Sequence, residues 1–340
     1  MAKSADELDL RLIHALQIAP RAPWVQLAKP LGLSAATAAR RWERLVERGE
    51  AWICGYNSAR GSDGGAFIEI ACEANRTDAV GDLIAASPQV LALDSLPGPT
   101  DLFATVAVED ISAFATFTAA VRAVRGVRSV RGRLITGVYS NAARWRLDAL
   151  DPAERTAVER LVPIERSARP VVMDELDRRL VVHLGGDGRA AATDLANALG
   201  VSITTVRRRI DRLMDSSVLD VRCEVLPTVT GHAVSAVFWI RIPAPHVAAA
   251  AARLSVLPEV RLVAGVTGPE NLLVTAWLRH AADIERFEAD IVVQIPTAIV
   301  ADRSVKLGIR KLTGRMIGAD GRANDVVLMD SWSVGVGGRH

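Results

Sequence analysis

Two short stretches concentrate the side chains best able to do chemistry. Thr37, Arg40, Arg41 and Arg44 occupy one, and Thr204, Thr205, Arg207, Arg208, Arg209 and Arg212 the other. On a helix these spacings put hydroxyls and guanidinium forks on one face, the equipment that reads base edges in a major groove and neutralises phosphates. The N-terminal half of each stretch is expected to read bases, and the distal arginines to hold phosphates. A basic helix face can also be merely solvated, but two copies in matching surroundings argue for use. Other chemistries lack their residues: no GxGxxG, P-loop or GxSxG occurs. The six histidines are scattered, with His14, His183 and His246 inside helical stretches. Cys54, Cys72 and Cys223 show no metal spacing and read as reduced, inert thiols. No catalytic, metal or cofactor site is expected.

The elements that must present those arginines follow from periodicity. Leu8, Leu12 and Leu16 form the stripe of an amphipathic helix, and Val25, Leu27, Ala28 and Leu31 that of a shorter second one. Gly32 suits the left-handed position after it. Ser34 is then the N-cap of a third helix that runs to about Arg48 and buries Ala38, Trp42 and Leu45. Its twin follows Ser202 and buries Val206, Ile210 and Leu213. Three helices with a tight glycine turn before the third make a helix-turn-helix. Ser34 and Ser202, at the ends that would enter a groove, join the candidate DNA contacts.

The twin is a duplication. Asp6-Glu7-Leu8-Asp9 recurs as Asp174-Glu175-Leu176-Asp177, and about 19 of the first 48 positions so aligned are identical, against a chance rate of roughly one in fifteen from ordinary composition. Matches include Arg21 with Arg189, Leu31-Gly32 with Leu199-Gly200, Arg40-Arg41 with Arg208-Arg209 and Arg44-Leu45 with Arg212-Leu213. Downstream, Pro88-Gln89-Val90 answers Pro258-Glu259-Val260, and Gly98-Pro99-Thr100-Asp101-Leu102 answers Gly268-Pro269-Glu270-Asn271-Leu272. The glycine expected after the third helix is Gly49 in the first copy and Ser217 in the second, and Pro30 interrupts the end of the first copy's second helix.

After each helical part the pattern changes period. Strands are expected at 66–71, 90–96, 102–108 and 127–139 with helices at 77–86 and 110–124, and again at 234–242, 260–266, 272–278 and 298–309 with helices at 246–254 and 281–293. This βαββαβ order is the ferredoxin-like motif. The loops Leu96–Asp101 and Val266–Asn271 carry Gly98 and Gly268, which let backbone approach a ligand or simply satisfy a turn. Between the copies, Asp151-Pro152-Ala153-Glu154 starts a short helix, and Pro163 and Pro170 stiffen a tether. The glycine-rich tail after Ile317 is expected to fray, apart from an edge strand at 326–329.

Composition bounds rather than decides. Of 340 residues half are apolar, enough for sizeable cores, with aromatics only 4%. The formal charge of +2 does not announce a nucleic-acid binder. The N-terminal residues lack the apolar stretch of a signal peptide, and no run approaches the roughly 18 apolar residues of a membrane span; a cytoplasmic protein is expected.

Together these readings give an α+β chain of two winged-type helix-turn-helix domains (1–58 and 173–226), each followed by a ferredoxin-like sensing domain of the dimeric α/β-barrel kind (64–145 and 232–317), with a linker at 146–172 and a tail at 318–340. The matching residues, Leu8-Asp9, Leu12, Leu16, Ala22, Leu27-Ala28, Leu31-Gly32-Leu33-Ser34, Arg41 and Arg44-Leu45 with their twins, resemble the Lrp/AsnC, or feast/famine, family of transcription regulators. Pro88-x-Val90 and Gly98-x-x-Asp101 look like that family's sensing signature. The resemblance implies promoter or operator DNA as partner, oligomers paired through sensing-domain sheets, and an amino acid or related small effector near Gly98, Thr100, Asp101, Gly268, Glu270 and Asn271. It implies no membrane partner. In a tandem chain the two sensing domains can pair as an intramolecular pseudo-dimer, which could assemble further, on an operator whose halves differ. Fused proteins resembling the family also include sirohaem decarboxylases, but Ala92-Leu93-Asp94-Ser95 and Leu262-Val263-Ala264-Gly265 offer no histidine or tyrosine acid/base there. A sensor acting only through protein partners is the third reading.

Overall fold

The computed structural model describes residues 5–57, 64–141, 145–162, 171–333 and 335–336. The first copy runs α1 (Glu7–Ile18), α2 (Trp24–Ala28), α3 (Ala35–Glu47), β1 (Ala51–Asn57), β2 (Gly65–Cys72), α4 (Thr77–Ala85), β3 (Val90–Ser95), β4 (Leu102–Ala107), α5 (Ile111–Ala123) and β5 (Val127–Ser140). After α6 (Pro152–Glu159) the second copy runs α7 (Glu175–Gly186), α8 (Ala192–Leu199), α9 (Ile203–Asp215), β6 (Leu219–Val225), β7 (Val234–Arg241), α10 (Val247–Leu254), β8 (Val260–Val266), β9 (Leu272–Leu278), α11 (Asp283–Gln294) and β10 (Ile299–Val305). Three short strands close the chain: β11 (Gly308–Leu312), β12 (Arg315–Ile317) and β13 (Ala323–Val326).

The structural units are not the copied units. Met1–Ala59 and Arg146–Thr230 make one compact body, and Arg60–Trp145 with Gly231–His340 the other. Each body therefore takes like parts from both copies.

In the helical body, α1 begins at a reciprocal capping box between Asp6 and Asp9, and α7 at the same box between Asp174 and Asp177. Ser34 and Ser202 cap α3 and α9, each accepting a hydrogen bond from the amide three residues on, at 3.1 Å in both. Gly32 and Gly200 both take positive φ, at +67° and +68°. Pro30 leaves α2 only five residues, against eight in α8. The strand after each helix-turn-helix does not fold back as a wing of its own domain. Instead β1 and β6 pair antiparallel over seven residues, from Ala51 opposite Val225 to Asn57 opposite Leu219.

The described start of the linker, residues 146–162, is packed against the helical body, while Pro163 and Pro170, expected to stiffen a tether, lie outside the described residues. Glu154 of α6 pairs with Arg11 of α1, Val158 is fully buried, and the Leu147 amide donates to Gln17 Oε1 at 2.8 Å. His14 accepts from the Leu150 amide through Nδ1 at 3.1 Å, and burial holds its pKa down to about 4. That histidine is a neutral acceptor that locks the linker down.

The second body is one eleven-stranded sheet in the order β10-β7-β9-β8-β5-β2-β4-β3-β11-β12-β13. Each sensing domain supplies four strands, and the last strand of each reaches over to the other: β5 pairs with β8, and β11 with β3. The long last strand expected at 298–309 is thus split into β10, which stays with β7, and β11. One core lies between the helices and strands of each domain. A third forms where the helix-free faces meet, with Phe67 stacked on Phe103 and Trp239 edge-on to both at 6.5 and 6.0 Å. The described part of the tail does not fray. β12 and β13 extend the sheet, Met329 is buried, and Gln89 Nε2 donates to the Ser333 carbonyl at 2.8 Å.

Candidate nucleic-acid interface

The buried stripes of α3 (Ala38, Trp42, Leu45) and α9 (Val206, Ile210, Leu213) fix which residues face outward. Arg40, Arg44, Arg207 and Arg208 are exposed and have no ion-pair partner among the described residues. Ser34, Ser202 and Thr204 are exposed beside them, and Thr37 and Thr205 are half-buried. The hydroxyls of Ser34 and Thr37 lie 2.8 Å apart and those of Ser202 and Thr205 2.9 Å apart, so each pair is tied into its cap.

Arg41 and Arg209 require correction as DNA contacts. Arg41 Nη1 donates to Asp6 at 2.9 Å and to Asp9 at 2.7 Å, and Arg209 Nη1 to Asp174 at 2.7 Å and Asp177 at 2.8 Å. Their side chains are only 20% and 19% exposed. The recognition helix uses this arginine to hold the buried carboxylates at the start of the first helix. Arg212, though more open, pairs with Asp177 too. In the first copy Arg48 Nη2 stands 3.9 Å from Asp9 and also pairs with Glu50 at 2.8 Å, where the second copy has Ser216. Four arginines remain exposed with no ion-pair partner among the described residues, two on each helix.

What sets the two helices relative to each other is a pair of residues seen in the repeat but given no role there. Arg189 donates to the Pro20 carbonyl at 2.6 Å and the Ala22 carbonyl at 3.0 Å while lying 4.1 Å over the Trp24 ring. Its twin Arg21 donates to the Gly188 carbonyl. With the β1–β6 ladder, this reciprocal clasp makes both helix-turn-helices one body.

In the sensing body the expected ligand contacts divide. Asp101 and Asn271 face their own strands. Asp101 accepts from the Cys72 amide at 2.7 Å, while Asn271 accepts from the Ile242 amide at 3.0 Å and donates to the Ile242 carbonyl at 2.7 Å. Both tie a strand end down, so the Asp-to-Asn difference changes one extra hydrogen bond rather than a pocket's charge. Gly98 sits in an exposed turn at φ +95° with open space beside it, and Thr100 is half-buried. At Gly268 the backbone, at φ +121°, is in a region that side-chain-bearing residues rarely adopt, and Arg133 Nη1 would stand 2.9 Å from a Cβ there.

Arg133 is the centre the sequence did not flag. It comes from β5 of the first sensing domain, is 6% exposed, and pairs with Glu270 of the second at 2.8 Å. It also approaches Glu69 at 3.4 Å and lies 4.2 Å over Trp239. Burial is the largest influence on Glu270 and opposes its ionisation, but the hydrogen bond and charge of Arg133, its own backbone amide and the charge of Arg241 together outweigh it and hold the carboxyl below its ordinary value. Burial pushes Glu69 the other way. At the reciprocal seam Lys306 pairs with Asp94 at 2.6 Å. The arginine's strand reads only as the last strand of its unit, and only pairing between copies brings it to that loop.

Comparison with known proteins fits this architecture. The AsnC-type helix-turn-helix profile matches residues 6–46 and 173–214, and the Lrp/AsnC ligand-binding domain profile residues 65–142. The regulator LrpA of Mycobacterium tuberculosis is 33% identical over 115 residues, 33% of this chain and 77% of that protein. The Bkd operon transcriptional regulator of Pseudomonas aeruginosa is 31% identical over 120 residues, with the same coverage. Over nearly the whole tandem, 90% of this chain and 93% of the other, the fold is similar to the crystal structure of the siroheme decarboxylase NirDL, with a TM-score of 0.57 at 14% identity. Among the described residues no helix is long and apolar enough to cross a membrane. Two helix-turn-helices, two paired sensing domains and these matches place the chain in the Lrp/AsnC family of ligand-responsive, DNA-binding transcription regulators, as a tandem duplicate.

Proposed function

We propose that the helical body reads a two-part operator through Ser34, Thr37, Arg40 and Arg44 on α3 and Ser202, Thr204, Thr205, Arg207 and Arg208 on α9, without catalysing a reaction. The observation that carries this is that the four arginines of these helices with no carboxylate partner among the described residues all lie on exposed faces, while the paired ones hold the fold. Small amino-acid-like effectors fit the face between the sensing domains: Arg133 and Arg241 offer partners for a carboxylate, and Glu69 and Glu270 for an ammonium. Arg241 Nη2 already stands 3.7 Å from Glu270. Such an effector would displace ion pairs linking the two sensing domains, and that differential binding would shift the population of assemblies.

Fluorescence anisotropy on the DNA upstream of the chain's own gene tests the reading. Arg40→Ala with Arg208→Ala should weaken binding and lower the salt slope by about one for each phosphate no longer neutralised; unchanged affinity discards it. A thermal-shift series with amino acids and a tetrapyrrole, repeated on Glu270→Ala, tests the effector face. Stabilisation by the tetrapyrrole with turnover would favour the decarboxylase reading that the NirDL fold brings.

A further inference from the structure

We infer that the two recognition helices read chemically unlike half-sites, with Arg207 selecting a guanine at the step where Ala39 accepts a thymine methyl. The inference rests on the DNA-reading assignment above and adds which base class each helix takes. The helices can be compared position by position, because both start at a serine cap with the same 3.1 Å bond and both turn the following arginine of the pair inward onto two aspartates. On that alignment the outward arginines Arg40 and Arg208 are equivalent and common to both. Apart from the buried pair Ala38 and Val206, three positions in the groove-entering half differ: Ala35 against Ile203, Ala36 against Thr204, and Ala39 against Arg207.

The first helix therefore presents a methyl-lined surface whose one long polar group there is Arg40. The second presents two adjacent arginines, a hydroxyl and a branched apolar side chain. Ala36 and Thr204 are exposed, Ala39 is half-buried, and Arg207 is exposed with no carboxylate partner among the described residues. A methyl group on a recognition helix meets the thymine C5-methyl, whereas an arginine fork donates to guanine O6 and N7. The available charge is equal but differently placed. α3 carries its second outward arginine one turn further on, at Arg44, where Arg212 of α9 is bound to Asp177. Arg44 is thus suited to a phosphate and Arg207 to a base.

Selection of bound sequences from randomised duplexes by the full chain tests this. Wild type should yield a non-palindromic site with a guanine confined to one half. Arg207→Ala should lose that guanine preference by about 10- to 100-fold at that position alone, and Ala39→Arg should create a guanine preference in the other half. A palindromic site, or an Arg207→Ala loss that is uniform across sequences, overturns the inference while leaving DNA binding intact. Failure of wild type to enrich any sequence overturns the DNA-reading assignment and this inference with it.

Discussion

Asp9 and Asp177 are 5% and 0% exposed. A carboxylate so placed is costly unless its charge is met by hydrogen-bonded cations. The amides of Asp6 and Asp174 donate to them, and Arg41 and Arg209 reach across from the third helix to supply the charge. An arginine that locks two helices together and one proposed to contact DNA have the same identity and adjacent numbers, and the solvent exposure and pairing of their forks separate them. Removing one partner of a largely buried pair costs about 3–5 kcal/mol, and at a fifth exposure we expect about 2–3 kcal/mol for Arg209→Ala. Arg208→Ala should leave stability within about 0.5 kcal/mol and lower DNA affinity. The hydrogen bond from Arg209 holds Asp174 below the ordinary carboxylate range. A carboxyl depressed on folding stabilises above its unfolded pKa and loses that contribution as pH falls through the folded value. The stability gap between wild type and Arg209→Ala should therefore narrow below about pH 4. Urea unfolding of both variants across pH checks this; equal stability of Arg208→Ala and Arg209→Ala would contradict it.

At the scale of elements, β1 and β6 exist as a ladder only with each other. An isolated two-stranded ribbon is marginal in water, and α1 and α7 each pack on the partner copy's strand; the Gly188 amide also donates to the Ile53 carbonyl at 2.8 Å. Burial pulls Arg189 down to about 10, still charged at neutral pH, which keeps its two carbonyl bonds strong. The ladder and the clasp together fix the separation of α3 and α9. We expect half-site spacing to be strict: five added base pairs, about half a helical turn, should abolish tight binding by wild type. Arg21→Ala with Arg189→Ala should bind more weakly on the natural spacing yet lose less on the altered one. Gel-shift titrations on the two duplexes decide it, and equal spacing penalties in both proteins would show the clasp to be irrelevant.

For the molecule as a whole, what was legible is what is local. Helix stripes, serine caps, the glycine turns and the βαββαβ order depend on neighbours a few residues away, and all stand in the periodicity. Partner choice does not. Nothing near β1 says that it pairs with β6, nothing near Arg133 points to Glu270, and nothing in the tail says that β13 forms against β12. Duplication tells that two surfaces match but not which positions have diverged at the seams. One divergence is consequential: Ser140 in the β5–β8 seam corresponds to Lys311 in the β3–β11 seam. Lys311 is fully buried, donates to the Ser87 carbonyl at 2.9 Å, and has no carboxylate partner among the described residues; burial lowers its pKa to about 7. A lysine depressed on folding binds its proton more readily in the unfolded chain, so stability rises with pH between about 7 and the unfolded value near 10.4. The second seam should accordingly tighten as pH rises through that window while the first does not. Lys311→Met keeps the volume and removes the charge. It should raise the melting temperature at and below neutral pH and flatten the rise between pH 7 and 10. If the variant keeps the wild-type slope in calorimetry over that range, another group controls the seam.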